Sequence, residues 1–456
     1  MDKAELIFIS NPSAGHLTSI MEFAKALIQH DHQLFITVLV IKLPFSRYVD
    51  IYLKFLTDSQ PNIQLIHIPE PDTNIPSSQL LKKSIESYMH AFFHAHKPLV
   101  HKAVRDIISS GARAPVVGLV VDLFCPSMLD IGDDFGIPSF IYSISCTAFL
   151  NLMLYLSTRN HQLSLTLTDP EISIPGFLNP VPPRVFPQGM FKDGGYEAFR
   201  QIAKGFKNCK GVVYNSFYEL ESYGIESCKK GNIKVYPVGP LLNRKAHPNP
   251  ELDRKEWDMI IKWLDDQAES SVVYLCFGSA GSFGVEQVKE IAQALENSGH
   301  KFLWSMRDIN LKEMVPEGFM ERVEGRGMVS RGWAPQAEVL SHKAIGGFVS
   351  HCGWNSVLES IWFGIPIATL PVYAEQQLIA FTLVKELGLA VDLKLDYSGH
   401  GQIGMEEIEK SVRSVMDSEN EVRKKVKDMS RIAMSAGMEG GSSFNSLSEF
   451  IRDVRK

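Results

Sequence analysis

One stretch constrains the fold more than any other: residues 344–364 read AIGGFVSHCGWNSVLESIWFG. Residues 344–350 form a short apolar run with a β-branched member, and the apolar positions of VLESIWFG then recur at helical spacing. The pattern predicts a strand, a tight loop and a helix. The first N–H groups of a helix have no intrahelical partners, and its aligned peptide dipoles leave that end partly positive, so a phosphate would sit well there. Gly353 lets the backbone approach an anion closely, while His351, Asn355 and Ser356 can add side-chain donors. Glu359, one turn further along the same face, could accept from sugar hydroxyls. Upstream, Trp333 offers a flat ring for a base to stack on. Downstream, Glu375 and Gln376 follow the apolar run 365–370 and could read further hydroxyls.

The rest of the chain repeats the same alternation. Apolar runs at 5–10, 34–41, 63–68 and 116–121 are separated by helical patterns, the first of them at 17–29, and 137–142 and 211–215 extend the series. Strands buried on both faces and alternating with helices predict a parallel sheet. Residues 241–255 (LLNRKAHPNPELDRK) are polar, carry two prolines and lack periodicity, which marks a linker over 244–256. The alternation restarts at 271–277 and continues through 301–305, 327–330, 345–350, 365–370 and 389–395, with terminal helices at about 406–416, 419–436 and 443–455. The expected fold class is therefore α/β: two doubly wound parallel-sheet units, 1–243 and 257–437, with a terminal segment 438–456. A chain of 456 residues, 45% hydrophobic, can fill two such cores. Ligands of doubly wound sheets bind beyond the carboxyl ends of the strands, and here two sets of strand ends could face one cleft.

A formal charge of −6 without a dense Lys/Arg run argues against a nucleic-acid partner. The apolar run at 6–9 is too short for a signal-peptide core, and nothing approaches the length of a membrane span. Six cysteines without a CxxC pair suggest neither zinc nor a disulfide framework. These features favour a cytoplasmic location, and the lack of a coiled-coil seam makes a monomer the default.

Proton chemistry has one candidate centre. His16 follows the first strand in NPSAGHL, and imidazole suits general-base work near neutral pH. Asp122 ends the fourth strand (GLVVD), where its carboxylate could hold the other ring nitrogen. By position alone His16 could equally be a solvent-facing turn residue, and Asp122 a helix cap.

The segment 333–376 resembles the signature box of plant family-1 UDP-sugar glycosyltransferases, which have the GT-B fold. WAPQ at its start, HCGWNS, the following LES and the closing EQ all stand at that family's spacing. The resemblance implies two Rossmann-like domains facing a cleft and an inverting O-glycosyl transfer. It implies that Trp333 stacks on uracil with Ala334 and Gln336 near the base and ribose, and that Glu359 takes the ribose hydroxyls. His351, Gly353, Asn355 and Ser356 would meet the phosphates, as would Ser279 in the FGS turn. Trp354, Glu375 and Gln376 would meet the hexose, with a serine from 143–145, such as Ser145, near its 6-hydroxyl. Gln at position 376 is usual for glucose users, so UDP-glucose is the expected donor. The family's GH dipeptide and its partner aspartate fall on His16 and Asp122, although Ser19 stands where a proline is frequent. The terminal helix is expected to strap back onto the first domain. No DxD-like pair is placed at the phosphates, so no metal cofactor is expected.

Chain-wide resemblance, including NPVP at 179–182, points to a small apolar acceptor: a flavonoid, another phenolic or a triterpenoid. Met89, Phe93, Phe124, Phe149, Phe186 and Phe283 are candidate liners of its pocket, though aromatics at helical spacing are more often core. A nicotinamide-dependent oxidoreductase would share the alternating pattern, but the first turn is NPSAGH rather than GxGxxG. A binding-only relative would be expected to have lost His16 or Asp122.

Overall fold

The computed structural model describes residues 2–11, 13–42, 60–72, 76–110, 113–159, 165–243, 254–278, 281, 283–306, 311–330, 334–393 and 403–456. The first unit contains β1 (Ala4–Ser10), β2 (Leu34–Ile41), β3 (Ile63–Ile68), β4 (Val116–Asp122), β5 (Ser139–Ser143), β6 (Val212–Tyr214) and β7 (Val235–Pro237). They form one sheet in the order β3-β2-β1-β4-β5-β6-β7, and every pairing is parallel. The second unit contains β8 (Val272–Cys276), β9 (Lys301–Ser305), β10 (Gly327–Ser330), β11 (Ile345–Ser350), β12 (Ile367–Thr369) and β13 (Ala390–Val391), ordered β10-β9-β8-β11-β12-β13 and again wholly parallel. This is the two-sheet GT-B architecture that the sequence predicts.

Continuous apolar strands follow from helices on both faces. Along β1, Ile7 and Ile9 face a core shared with the helices Ile85–Ser110, Thr147–Ser157 and Gly195–Asn208. Leu6 and Phe8 face the opposite core, shared with the helix Ala14–His30 and the terminal helix Ser442–Val454. With both faces covered, neither set of alternate side chains has a solvent side on which to be polar.

The terminal helix packs on the first sheet although it follows the second in sequence. Leu447, Phe450, Ile451 and Val454 are buried there, each contributing about 1.5–3 kcal/mol. Phe450 meets Phe140 and Tyr236 edge-on at 5.1 and 5.4 Å, and Asp453 accepts from Lys234 and from the Tyr236 hydroxyl. Elsewhere, Glu386 of the second unit accepts from the backbone N–H groups of Leu178 and Asn179, at 2.5 and 3.0 Å.

Three details differ from the expectation. The edge strand β7 spans only three residues and ends on a proline, which reads as a turn rather than a strand. Val391 ends β13, so among the described residues of the run expected over 389–395 only Ala390 and Val391 are strand. Residues 244–253 lie outside the described residues, and 254–256, read as linker, already belong to the helix Arg254–Asp265.

Candidate active site

In each sheet the strand order reverses between two adjacent strands, and the crevice above that point is where a ligand can enter. For the first sheet the pair is β1 and β4, with Ile9 beside Val121. Asn11, just past β1, accepts the backbone N–H of Ser13 at 2.9 Å, a local turn that releases the chain into the helix Ala14–His30. His16 therefore lies in the first turn of that helix, directly above the end of β4. Its Nδ1 is 2.7 Å from Asp122 Oδ2. Asp122 is fully buried, and its second oxygen accepts the Phe124 N–H at 2.9 Å, so the carboxylate is held at both ends. With Nδ1–H donated to the carboxylate, Nε2 is the basic nitrogen; His16 keeps 14% of its side chain exposed, and that is where a proton could be received.

For the second sheet the pair is β8 and β11, with Ser350 beside Cys276. After β11 the chain turns sharply: Cys352 adopts φ 64°, a left-handed conformation costly for a non-glycine residue. Gly353 then caps the helix Trp354–Phe363 without any side-chain hydrogen bond, and that helix carries no acidic residue in its first turn. Its leading N–H groups are thus unclaimed by a cap. His351 is buried, and burial holds its pKa down to about 4, against a smaller opposing contribution from the backbone of Cys276. It is a neutral imidazole at physiological pH. Gly278, after β8, must lack a side chain, because a Cβ there would lie 2.5 Å from His351 Nε2.

Gln336 opens the helix Gln336–Ser341 and donates to Ser356 Oγ at 2.8 Å and to Glu359 Oε2 at 2.7 Å. Burial raises the Glu359 carboxyl to about 7, partly offset by the Gln336 bond. Ala334 is buried just ahead of this group. Gln376 Oε1 accepts from the backbone N–H groups of Val372 and Tyr373, both at 2.9 Å, shaping the loop that ends in Glu375. Tyr373 in turn stacks 6.3 Å from His351, which brings this loop to the mouth of the second sheet.

The two mouths face each other. Asn355 Nδ2 donates to the Gly15 carbonyl at 3.2 Å, and Trp354 Nε1 to the Asn215 carbonyl at 2.8 Å. His16, Asp122, Gln336, His351, Gly353, Trp354, Asn355, Ser356, Glu359 and Gln376 are thereby gathered around one cleft. Ser279 and Trp333 lie outside the described residues.

The aromatic candidates for an acceptor pocket divide. Phe124 stands beside His16, ring centres 5.2 Å apart, and Met89 is half-buried. Phe93, Phe149 and Phe186 need correction: they are fully enclosed in the first core and present no surface to a ligand. Phe283 packs edge-on against Phe277 at 4.7 Å, on the second core. Ser145 is buried, its N–H donating to Ser143 Oγ at 3.4 Å. Asn215, which the sequence reading passed over, turns out to link the two units; its only signal was its place directly after an apolar strand. Asp134 and Asp265 pair with His101 and His342 at the surface, and among the described residues no group of three or more His, Cys, Asp or Glu side chains is placed to hold a metal ion.

Two wholly parallel sheets, one bearing a buried carboxylate that aligns an imidazole and the other an uncapped helix start opposite it, have the GT-B architecture. Residues 245–439 match the family model described as UDP-glucoronosyl and UDP-glucosyl transferase. The chain is 45% identical to UDP-glycosyltransferase 71K2 of Pyrus communis, over 100% of its own length and 98% of that protein. It is 47% identical to flavonol 3-O-glucosyltransferase UGT71C4 of Arabidopsis thaliana, over 99% and 98%. The crystal structure of Medicago truncatula UGT71G1 complexed with UDP-glucose superposes with a TM-score of 0.94 at 46% identity, covering 100% of this chain and 99% of that one. The chain belongs to the plant UDP-glycosyltransferases and is an enzyme of that family, which disposes of the oxidoreductase alternative.

Proposed function

We propose that this enzyme transfers glucose from UDP-glucose, with inversion, to a hydroxyl of a small apolar acceptor such as a flavonoid, another phenolic or a triterpenoid. The observation that carries the reading is the 2.7 Å His16–Asp122 pair in the first turn of a helix whose Gly15 carbonyl touches Asn355 of the opposite helix start. His16 Nε2 takes the acceptor proton while the acceptor oxygen attacks the anomeric carbon. The bond from that carbon to the diphosphate oxygen breaks, and its electron pair leaves with UDP. Asp122 stabilises the imidazolium that results.

Residues 257–437 hold the donor and residues 1–243 the acceptor. The helix start at Gly353, with Asn355 and Ser356, receives the negative charge that grows on the diphosphate. Glu359, held by Gln336, accepts from the ribose hydroxyls, and Trp333 stacks on the uracil. Gln376 has its oxygen committed to Val372 and Tyr373, so its amino group is the part directed to the hexose, alongside Glu375 and Trp354. Ser145 and Phe124 stand on the acceptor side. No step in this scheme calls for a metal, and turnover in EDTA should be undiminished. The relative active on a flavonol and the relative solved with UDP-glucose support these choices of acceptor and donor. No helix among the described residues is long and apolar enough to cross a membrane, and a cytoplasmic monomer is the simplest state for such an enzyme.

The test is an acceptor screen with UDP-glucose, products read by mass spectrometry, comparing the wild type with His16→Ala. Glucosides formed by the wild type alone are expected. Undiminished turnover by His16→Ala would show the base to be wrongly assigned.

A further inference from the structure

One of the links between the two units runs through a fully buried residue that takes no part in the chemistry above. Asn215 directly follows β6, and every polar group it has is engaged. Its Oδ1 accepts the Leu241 N–H at 2.7 Å, while Nδ2 donates to the Leu241 carbonyl at 3.1 Å and to Ser19 Oγ at 3.2 Å. The Leu241 N–H fixes which end of the amide is oxygen. Its backbone N–H donates to the Ser143 carbonyl at 3.2 Å, and its own carbonyl accepts the Trp354 indole N–H at 2.8 Å.

These bonds connect two catalytic elements. Ser19 lies one turn beyond His16 on the same helix, and its hydroxyl is also 2.8 Å from the Tyr142 hydroxyl, which donates to the Ser19 carbonyl at 3.0 Å. Trp354 is the first residue of the helix that faces His16. A second link, from Asn355 to the Gly15 carbonyl, lies on the other side of His16 in sequence. Adjacent residues of one helix start therefore grip the opposing helix before and after the imidazole. One attachment would leave a pivot; two set both distance and angle. There is little slack in the clamp, since a Cβ on Gly239 would come within 2.5 Å of Asn215 Oδ1.

We propose that Asn215, through Ser19 on one side and Trp354 on the other, is a positioning residue that fixes the distance between the general base and the donor-holding helix. The proposal rests on His16 being that base. A displacement of about 1 Å between reacting groups can cost about a hundredfold in rate without weakening either binding step.

A double-mutant cycle tests it. Ser19→Ala removes one hydroxyl, and Trp354→Phe removes the N–H committed to the Asn215 carbonyl while keeping an aromatic ring on the hexose side. Each should lower kcat about tenfold with the UDP dissociation constant within about threefold of wild type. The double variant should be no slower than the slower single one, because both substitutions cut the same connection. Losses that multiply to about a hundredfold, or a normal kcat in either single variant, would overturn the proposal. Asn215→Asp, which turns an oxygen toward the Leu241 carbonyl, should match the double variant; should it fail to fold, the cycle decides alone. An active His16→Ala would sink the base assignment itself, whereas an inactive His16→Ala together with a multiplicative cycle would sink only the role of Asn215.

Discussion

The helix starts after β1 and after β11 use the same backbone device for opposite purposes. Both lack a capping side chain, and neither carries an acid in its first turn. Above β1, His16 keeps contact with solvent, and its Nδ1 is held by a buried carboxylate supplied by the neighbouring strand, which leaves Nε2 as the free ring nitrogen. Above β11, His351 has been driven neutral by burial and no carboxylate among the described residues bonds its ring, so that mouth offers neutral donors and a partial positive charge suited to an anion. In the proposed scheme a doubly wound sheet supplies the location, and the side chains at the strand ends decide whether it moves protons or holds phosphates.

The largest effect expected from breaking this contrast is at His16. His16→Ala should lower kcat on the order of 10²–10⁴. UDP affinity, read by titration, should stay within about threefold, because the anion-holding mouth is untouched. Equal losses in both would mean that the two mouths do not divide the labour. Asp122→Asn comes next, at about a hundredfold in kcat. Because the Phe124 N–H requires an oxygen, the new amide would turn its NH₂ toward His16 Nδ1 and force the proton onto Nε2, the nitrogen that must accept. A UDP-release assay across pH would show a depressed plateau rather than a shifted limb.

Glu359 sharpens the contrast on the donor side. Its carboxyl sits near 7, so it is protonated below that pH and an acceptor-only carboxylate above it. The wild-type dissociation constant for UDP should therefore rise about tenfold as pH falls from 8 to 6. Glu359→Gln should bind about tenfold more weakly at pH 8 and show little dependence. A pH response that survives in Glu359→Gln would assign it to another group.

The smallest effect concerns a buried carboxyl that the proposed substrate contacts do not use. Glu221 is also pushed up to about 7 by burial, against hydrogen bonds from Ser216 and Thr147. The folded state holds a proton that the unfolded chain would release, so its stability is fullest below the ordinary carboxylate range and declines as pH rises through about 7. Melting temperature should fall by about 2–4 °C between pH 5 and 8 on this account. Glu221→Gln should remove that component and leave UDP affinity unchanged. A change in UDP affinity would tie the Glu221 network to the donor mouth.

Much of the architecture was legible beforehand because its causes are local. Strands covered on both faces are apolar almost throughout, so β2, β9 and β11 could be bounded from the runs themselves, and the part-exposed edge strands β3 and β10 kept enough apolar residues to be bounded as well. β7 escaped because its three residues end on a proline, which reads as a turn rather than a strand, and its place depends on β6 and the terminal helix. The donor side was legible for the same local reason: strand, turn and helix follow one another without interruption, so the residues that meet at the helix start are neighbours in sequence. The acceptor side was not, because an apolar face turned to a cleft and one turned to a core look alike in composition. Phe93, Phe149 and Phe186 went to the core, and Phe124 to the side of His16.

What the chain determined by itself, then, is the set of elements, their parallel pairing and the anion-suited helix start at 353–356, all products of short-range pattern and backbone geometry. The His16–Asp122 contact across 106 positions could be expected only from strand ends and resemblance and needed the tertiary structure to give its geometry, while that Asn215 meets Trp354 across 139 positions was decided by tertiary structure alone. Such contacts depend on which strands lie side by side and on how two separate sheets are opposed, and no local spacing encodes either.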